Sequence, residues 1–344
     1  MLTVPIVCFP FLTVSGGTIA AWGDNSLGET NVPPNLTDVV AIAAGGFHSL
    51  ALKADGTVID WGDNGLGHST KPDGLSNVVA IAAGENHSCA LKQDGTVVQW
   101  DDDNVGLVPT DTTNIIAIAA GGFHTLALTA GGTVKAWGNS YYDQCNPPNG
   151  LSNVIAIAAG EYHSVALKND GTVVTWGDDR LRQCSGAVVT NASAIAAGTY
   201  HTLAINRNGS VTAFGDNSCG QTNSQIGLTT ATSIAGGYCF SLAAKIDGTV
   251  EAWGSPGSIP DLSNVISIAA GRAHGLALIG SHSARLAIRM QDGHANLDWS
   301  DATFQLQTTT NIFDALSWQP LLLGTNSYTT TPADKARFFR LIKN

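Results

Sequence analysis

The sequence predicts an all-β protein: a seven-bladed β-propeller closed by pairing of its N- and C-terminal strands and followed by a small β module. Three observations carry this reading. Trp22, Trp61, Trp100, Trp137, Trp176, Phe214 and Trp253 recur at steps of 37 to 39 residues. A second landmark, His48, His87, His124, His163, His201, Phe240 and His274, keeps the same period until a last step of 34 residues. Two independent landmarks on one period mark a repeat architecture of seven units. Charged residues are only 12% of the chain and glycine supplies 39 of its 344 residues, a balance that favours short strands and tight turns.

Each element of the unit follows from its residues. In the unit that starts at Val39, Val40 and Ile42 alternate, then Leu50 and Leu52, then Val58, as in period-two strands bounded by glycine. The dipeptide Gly46-Phe47 joins the first two strands and Asp55-Gly56 joins the second to the third. The second turn recurs as Asp94-Gly95, Asp170-Gly171, Asn208-Gly209 and Asp247-Gly248, pairs that tolerate positive φ at both centres of a two-residue hairpin. The variable stretch after each tryptophan can supply a fourth strand at the blade's edge. Ala43-Ala44-Gly45 keeps the inner strand slender where seven sheets converge, while the tryptophans fill the widening gaps further out. That is the taper of a propeller. A stacked solenoid would need polar capping repeats, and none is visible.

The propeller is expected over residues 1–280. Its first unit starts with the Gly17–Trp22 half, and its last, Val265–Gly271 with His274, has no tryptophan half after it, so the two ends complete one blade. Leu12–Val14 and Leu276–Leu278 compete for one slot there, and the expectation favours Leu276–Leu278. Residues 2–14 are apolar without Lys or Arg, which reads as an incomplete secretory leader or a leftover β-strand displaced to an edge. Beyond Leu278 the period stops. Leu286–Met290, Leu297–Trp299 and Phe304–Gln307 alternate, and Trp318, Leu321–Leu323 and Phe338–Leu341 add apolar pieces. Residues 281–344 are expected to form a small, loosely fibronectin-like β domain serving as a spacer or attachment element.

Composition and motifs exclude several functions. The net charge of −11 has the wrong sign for holding phosphate backbones, so no nucleic-acid partner is expected. No run of eighteen apolar residues offers a membrane span. Nucleophile-elbow, phosphate-loop, zinc-protease and dinucleotide fingerprints are missing, so no enzyme activity, catalytic residue or cofactor is expected. The in-register histidines are assigned to packing and a local hydrogen bond rather than to metal, because Phe240 occupies one of the seven places. His68, His282 and His294 have no partner at a recognisable spacing. The Asp24-Asn25, Asp63-Asn64 and Asp216-Asn217 turns lack the bidentate Glu of a calcium loop, and Asp101–Asp103 reads as a solvated loop. None of the six cysteines forms a C-x-x-C pair, and Cys145 and Cys184, equivalent in successive repeats, are expected to be free thiols.

The pattern Ala-Ala-Gly-x-x-His-[Ser/Thr]-x-Ala-Leu, Asp-Gly-Thr-Val and Trp-Gly-Asp-Asn resembles the regulator-of-chromosome-condensation repeat family over residues 11 to 280. Its compact spacing is similar to the secreted bacterial β-lactamase-inhibitor propellers. The family's eukaryotic nucleotide-exchange activity is not carried over to repeats this short with no basic tail. In the inhibitor propellers, aromatics at the turn before the histidine make much of the contact with the bound enzyme.

Here that turn varies while its flanks do not: Gly46-Phe47, Glu85-Asn86, Gly122-Phe123, Glu161-Tyr162, Thr199-Tyr200, Tyr238-Cys239 and Arg272-Ala273. All seven should ring one mouth of the channel, joined by post-tryptophan residues such as Asp63, Tyr141-Tyr142 and Asp178-Asp179-Arg180. The candidate site is therefore an aromatic-acidic mouth of Phe47, Glu85, Phe123, Glu161, Tyr162, Tyr200, Tyr238, Tyr141 and Tyr142 for a protein partner. The alternatives are a lectin-like module that stacks on glycans, or a purely structural repeat region of a surface protein. The expected location is extracellular or in the cell envelope.

Overall fold

The computed structural model describes residues 17–63, 71–100, 105–223 and 227–280, and beyond them the backbone of six strands. The chain divides into two compact units, Met1–Ser281 and His282–Asn344. In the first, seven three-stranded antiparallel sheets follow one another. The first blade is Val39–Ala44, His48–Lys53 and Val58–Gly62; the second is Val78–Ala83, Ser88–Lys92 and Val97–Trp100. The third is Ile115–Ala120, His124–Thr129 and Val134–Gly138; the fourth is Val154–Ala159, His163–Lys168 and Val173–Gly177. The fifth is Ala192–Ala197, His201–Asn206 and Val211–Gly215; the sixth is Ala231–Gly236, Phe240–Lys245 and Val250–Gly254.

The seventh blade closes the ring. Val265–Ala270 and His274–Ile279 pair with each other, and Thr18–Gly23 from the other end of the chain completes the sheet, with Thr18 opposite Ile279 and Gly23 opposite His274. Leu276–Leu278 occupies the shared slot as expected. Leu12–Val14 lies outside the described residues. In the second unit, Leu286–Gln291, His294–Trp299 and Ser327–Thr329 form one sheet, and Gln319–Pro320, Phe304–Thr309 and Phe338–Lys343 another. Trp318 and Leu321–Leu323 lie outside the described residues.

Three local features differ from the sequence expectation. Among the described residues no fourth strand forms, because the stretch after the tryptophan tucks into the gap beside the next blade instead of pairing at an edge. Every inner pair carries a register shift, as between Val39 and Ala41. This bulge breaks the expected Val40/Ile42 alternation by burying Val39 and leaving Val40 38% exposed. In the Asp-Gly hairpins only the glycine takes positive φ, as at Gly56 (80°). Asp55 instead accepts the Thr57 N–H at 2.9 Å, and Gly56 N–H bonds back to Lys53 C=O. Thr96, Thr172, Ser210 and Thr249 bond in the same way to Asp94, Asp170, Asn208 and Asp247. The recurring Asp-Gly-Thr is thus an Asx turn with one left-handed glycine.

The core lies between blades rather than within them. Among the described residues seven apolar clusters occur, one per seam. In the seam after the third blade, Leu126 and Leu128 meet Ala166 and Trp176 of the fourth. The middle strands therefore read Leu-Ala-Leu: leucines cover the next blade, and the alanine receives the previous one.

Buried polar groups cross the same seams. His124 Nε2 meets Ser164 Oγ at 2.9 Å, His163 meets Thr202 at 3.1 Å, His201 meets Ser241 at 2.8 Å, and His274 meets Ser49 at 3.0 Å. His48 and His87 bond likewise to Ser88 and Thr125. Ser164, Thr202, Ser241 and Ser49 in turn donate to the carbonyls of Gln144, Gln183, Gln221 and Glu29. The hydroxyl proton is thereby used, so the imidazole Nε2–H is the donor, and burial keeps the rings of His124, His163, His201 and His274 neutral. The Cε1–Nδ1 edge of each ring also lies against the glycine three residues earlier: a Cβ on Gly160 would come within 2.2 Å of His163 Cε1.

Gly160→Ala is therefore expected to cost about 1–3 kcal/mol in unfolding free energy through overpacking, measured by urea titration. Burial holds His163 and His274 down at about 4, and His124 and His201 down at about 3, below the ordinary 6.5. The unfolded chain then binds more protons than the folded one as pH falls below 6.5. Stability present above that pH is lost toward pH 4, at up to about 1.4 kcal/mol per histidine per pH unit. Thermal midpoints between pH 7.5 and 4.5 check this; an unchanged midpoint contradicts it.

Candidate functional site

One mouth of the propeller is knit from backbone. Gly46 N–H donates to Gly84 C=O at 2.9 Å, Glu85 to Gly121 at 3.2 Å, Gly122 to Gly160 at 3.1 Å and Glu161 to Thr199 at 3.1 Å. Thr199 then donates to Gly237, Tyr238 to Arg272 at 3.1 Å, and Arg272 to Gly45 at 3.2 Å, which returns to the first blade. This cycle fixes the seven variable dipeptides around one opening. The loops after the tryptophans reach the same end: Asp63 N–H meets Phe47 C=O at 2.9 Å, Asn139 meets Phe123 at 2.8 Å, and Asp178 meets Tyr162 at 2.8 Å.

Within the ring, the first dipeptide residues other than Tyr238 line a central channel of about 120 Å³ that includes Glu85, Glu161, Thr199 and Arg272. Glu85 and Glu161 lie over Gly46 and Gly122 of the preceding blades, where any Cβ would collide with them. Arg272 is ion-paired with Glu85. Burial pushes the Glu161 carboxyl above its ordinary range, offset in part by a bond from the Tyr200 hydroxyl. Burial and that same bond raise the Tyr200 phenol.

The second dipeptide residues and the loops, with the first residues Tyr238 and Arg272, form two aromatic arcs. In one, Phe123 stacks on Tyr162 at 5.6 Å, Tyr162 meets Tyr142 edge-on at 5.3 Å, and Tyr142 meets Tyr141 at 4.8 Å. Arg180 caps Tyr142 at 4.3 Å while its guanidinium grips buried Asp178 at 2.8 and 3.1 Å. Burial alone would raise Asp178; the Arg180 bonds hold its carboxyl below the ordinary value. In the other arc Tyr200 meets Tyr238 at 5.9 Å. Arg272 bridges from Tyr238, 5.3 Å away, to Phe47, 5.7 Å away.

All nine candidate residues thus stand at one mouth. Tyr141 is the outlier in exposure at 81%. Arg180 and Arg272, which sequence reasoning placed at the mouth without a role, are the cations that tie the arcs to the carboxylates. Asp101–Asp103 and His68 lie outside the described residues. Asp24 and Asp216 bond to Ser26 and Ser218 within their own loops, which is turn chemistry. No group of three or more His, Cys, Asp or Glu side chains converges among the described residues.

Sequence reasoning missed two features. Glu29, Gln144, Gln183 and Gln221, all buried, fold four of the loops after the aromatic landmarks by accepting the backbone N–H two residues upstream, at 2.9 Å in each case. Their recurrence seven residues after four of the seven aromatic landmarks, Trp22, Trp137, Trp176 and Phe214, was the available signal. A disulfide joins Cys219, in the loop of the fifth blade, to Cys239, in the sixth blade's dipeptide, across a Cα separation of 5.5 Å. Cys145 and Cys184 are free thiols. Their Sγ atoms bond to the carbonyls of Asn139 and Asp178 in their own loops.

Ring closure, three-stranded blades and interblade cores define the first unit as a seven-bladed β-propeller. Residues 39–67, 78–100, 115–144, 154–183 and 192–221 match the Regulator of chromosome condensation (RCC1) repeat, five repeats of that family within the propeller. The fold agrees with solved propellers. The Saccharomyces cerevisiae protein Prp20p, studied for its binding to Gsp1p and histones, is 22% identical with a TM-score of 0.64, covering 78% of this chain and 93% of its own. Yeast RCC1 (Prp20) bound to Kap60 is 23% identical at 0.66, covering 79% and 90%. Human WBSCR16 is 15% identical at 0.62, covering 78% and 100%. No curated protein sequence matches the chain.

Reduction of Cys219–Cys239, which closes a span of 20 residues, is expected to remove about 3 kcal/mol of stability on the chain-entropy estimate. Guanidinium titration with and without reductant measures it. Burial pushes the Cys145 and Cys184 thiols up to about 11 and about 12, so both should alkylate slowly at neutral pH in the native protein and at ordinary thiol rates once unfolded.

Proposed function

We propose that this chain is a non-enzymatic binding propeller that presents the aromatic mouth to a protein partner. The observation that carries this is the composition of the mouth against the rest of the surface. Aromatic side chains and Arg180 and Arg272 gather there in mutual contact. All six propeller lysines, Lys53, Lys71, Lys92, Lys135, Lys168 and Lys245, lie elsewhere and pair with carboxylates. Aromatics and arginine enriched with lysine depleted is the signature of an interface core. Aromatic rings also bring contact area at little entropic cost.

The RCC1-repeat propellers of yeast support the reading by analogy, since Prp20p is described binding Gsp1p and histones and RCC1 binding Kap60. The repeat spacing favours kinship with the compact bacterial propellers that inhibit β-lactamases. The Cys219–Cys239 disulfide favours an oxidising compartment, extracellular or in the cell envelope. The second unit then serves as a spacer or attachment module.

The test is affinity capture with three forms of the protein: unaltered, Phe47→Ala with Phe123→Ala, and Lys53→Ala with Lys92→Ala. A protein retained by the first should be lost by the mouth variant, with a loss of about 2 kcal/mol or more per anchor, and kept by the lysine variant. Retention by the mouth variant, with its fold verified by circular dichroism, rejects the proposal.

A further inference from the structure

The seam between the sixth and seventh blades is rebuilt at three positions at once. Phe240 replaces the histidine, and Gly275 stands where the receiving serine or threonine would be. The loop Ser255-Pro256-Gly257-Ser258-Ile259-Pro260 lacks the buried glutamine that fills the equivalent space elsewhere. Phe240 packs against Gly237 as the histidines pack on their glycines, so the depth of the seam stays closed and apolar. Buried Trp22 has an indole N–H without a partner among the described residues, whereas Trp61, Trp176 and Trp253 donate theirs to the carbonyls of Glu29, Gln144 and Gln221. Above this sealed base the seam opens at the mouth.

The opening is a cavity of about 490 Å³ lined by Gly23, Asp24, Tyr238, Cys239, the 255–258 loop, Arg272 and Ala273. That volume falls in the roughly 300–1,000 Å³ range of small-molecule sites. Its walls carry both signs of charge, one carboxylate and one guanidinium, together with the hydroxyls of Ser255 and Ser258 and the half-exposed ring of Tyr238. An anionic ligand would meet Asp24 and a cationic one Arg272. A hydroxyl group both donates and accepts, so a ligand with several of them satisfies both walls without bringing a charge between them. The Tyr238 ring offers an apolar surface for its carbon skeleton.

We propose that this cavity binds a neutral polyhydroxylated ligand, a sugar unit. The site shares Tyr238 and Arg272 with the second arc but lies apart from the Phe123–Tyr162–Tyr142 arc, and it does not require the protein partner proposed above.

Saturation-transfer NMR titrations of the full chain with maltose, cellobiose and N-acetylglucosamine, and with glucosamine and glucuronate as charged counterparts, test it. At least one neutral sugar should saturate. Ser258→Trp, a filling substitution on an exposed position, and Asp24→Ala should each weaken it about tenfold or more, about 1.4 kcal/mol. Phe123→Ala with Tyr162→Ala should leave it unchanged. If Ser258→Trp fails to fold, Ala273→Trp fills the cavity from another lining position. The proposal is overturned if no neutral sugar saturates, if the charged counterparts bind as tightly, if a folded filled variant binds unchanged, or if only the arc variant abolishes binding.

Discussion

The bond from a histidine in one blade to a hydroxyl in the next is the interaction on which the rest of this structure depends. It works only as part of a set. The hydroxyl donates its own hydrogen bond to the backbone carbonyl of a buried Gln or Glu, which is held in place by the turn it closes. The tryptophan of the receiving blade donates to the same carbonyl, as Trp176 does to Gln144 at 2.9 Å. The Nε2–H of a neutral imidazole, a hydroxyl, an indole and a loop carbonyl therefore bond to one another inside an apolar seam, while Nδ1 of His124, His163 and His201 has no partner among the described residues. Each would be costly there alone. The glycine beside the ring completes the set, because only a residue without Cβ leaves room for the imidazole.

This explains why the mouth can vary without loss of the fold. The dipeptide before the histidine is held through its backbone, by the cycle of bonds that runs from blade to blade. Its side chains are left to diversify. Gly46 and Gly122 make space for Glu85 and Glu161, and Phe123, Tyr162 and Tyr200 spread outward around the opening. Where the seam set is lost, at Phe240 and Gly275, the change coincides with a shortened loop and a cavity rather than with a broken ring.

Much of this was legible in the sequence, for a physical reason. The period and the seven-fold count are written in residues each seam needs, so they repeat. The closure of the seventh blade follows from the half-units at the two ends. The grouping of Phe47, Glu161 and Tyr238 at one end follows from strand alternation alone. What stayed hidden involves two segments meeting across a seam. Nothing local to Cys219 announces Cys239, and nothing local to His163 announces Thr202. The bulge at Val40 and the Asx turn at Asp55 were missed for another reason, since a period-two pattern and an Asp-Gly pair are compatible with more than one backbone.

The seventh blade carries a consequence for how the molecule comes into being. Thr18–Gly23 is made early and must wait for His274–Ile279, more than two hundred residues later, before it has a sheet to join. During synthesis the earlier blades can pack pairwise as they leave the ribosome. Throughout that time the growing arc has two raw flanks, one apolar with leucines and one bearing an unanswered tryptophan. Joining such distant segments is entropically slow. The nascent chain therefore spends its most vulnerable period almost complete, with its stickiest surfaces bare until the circle shuts.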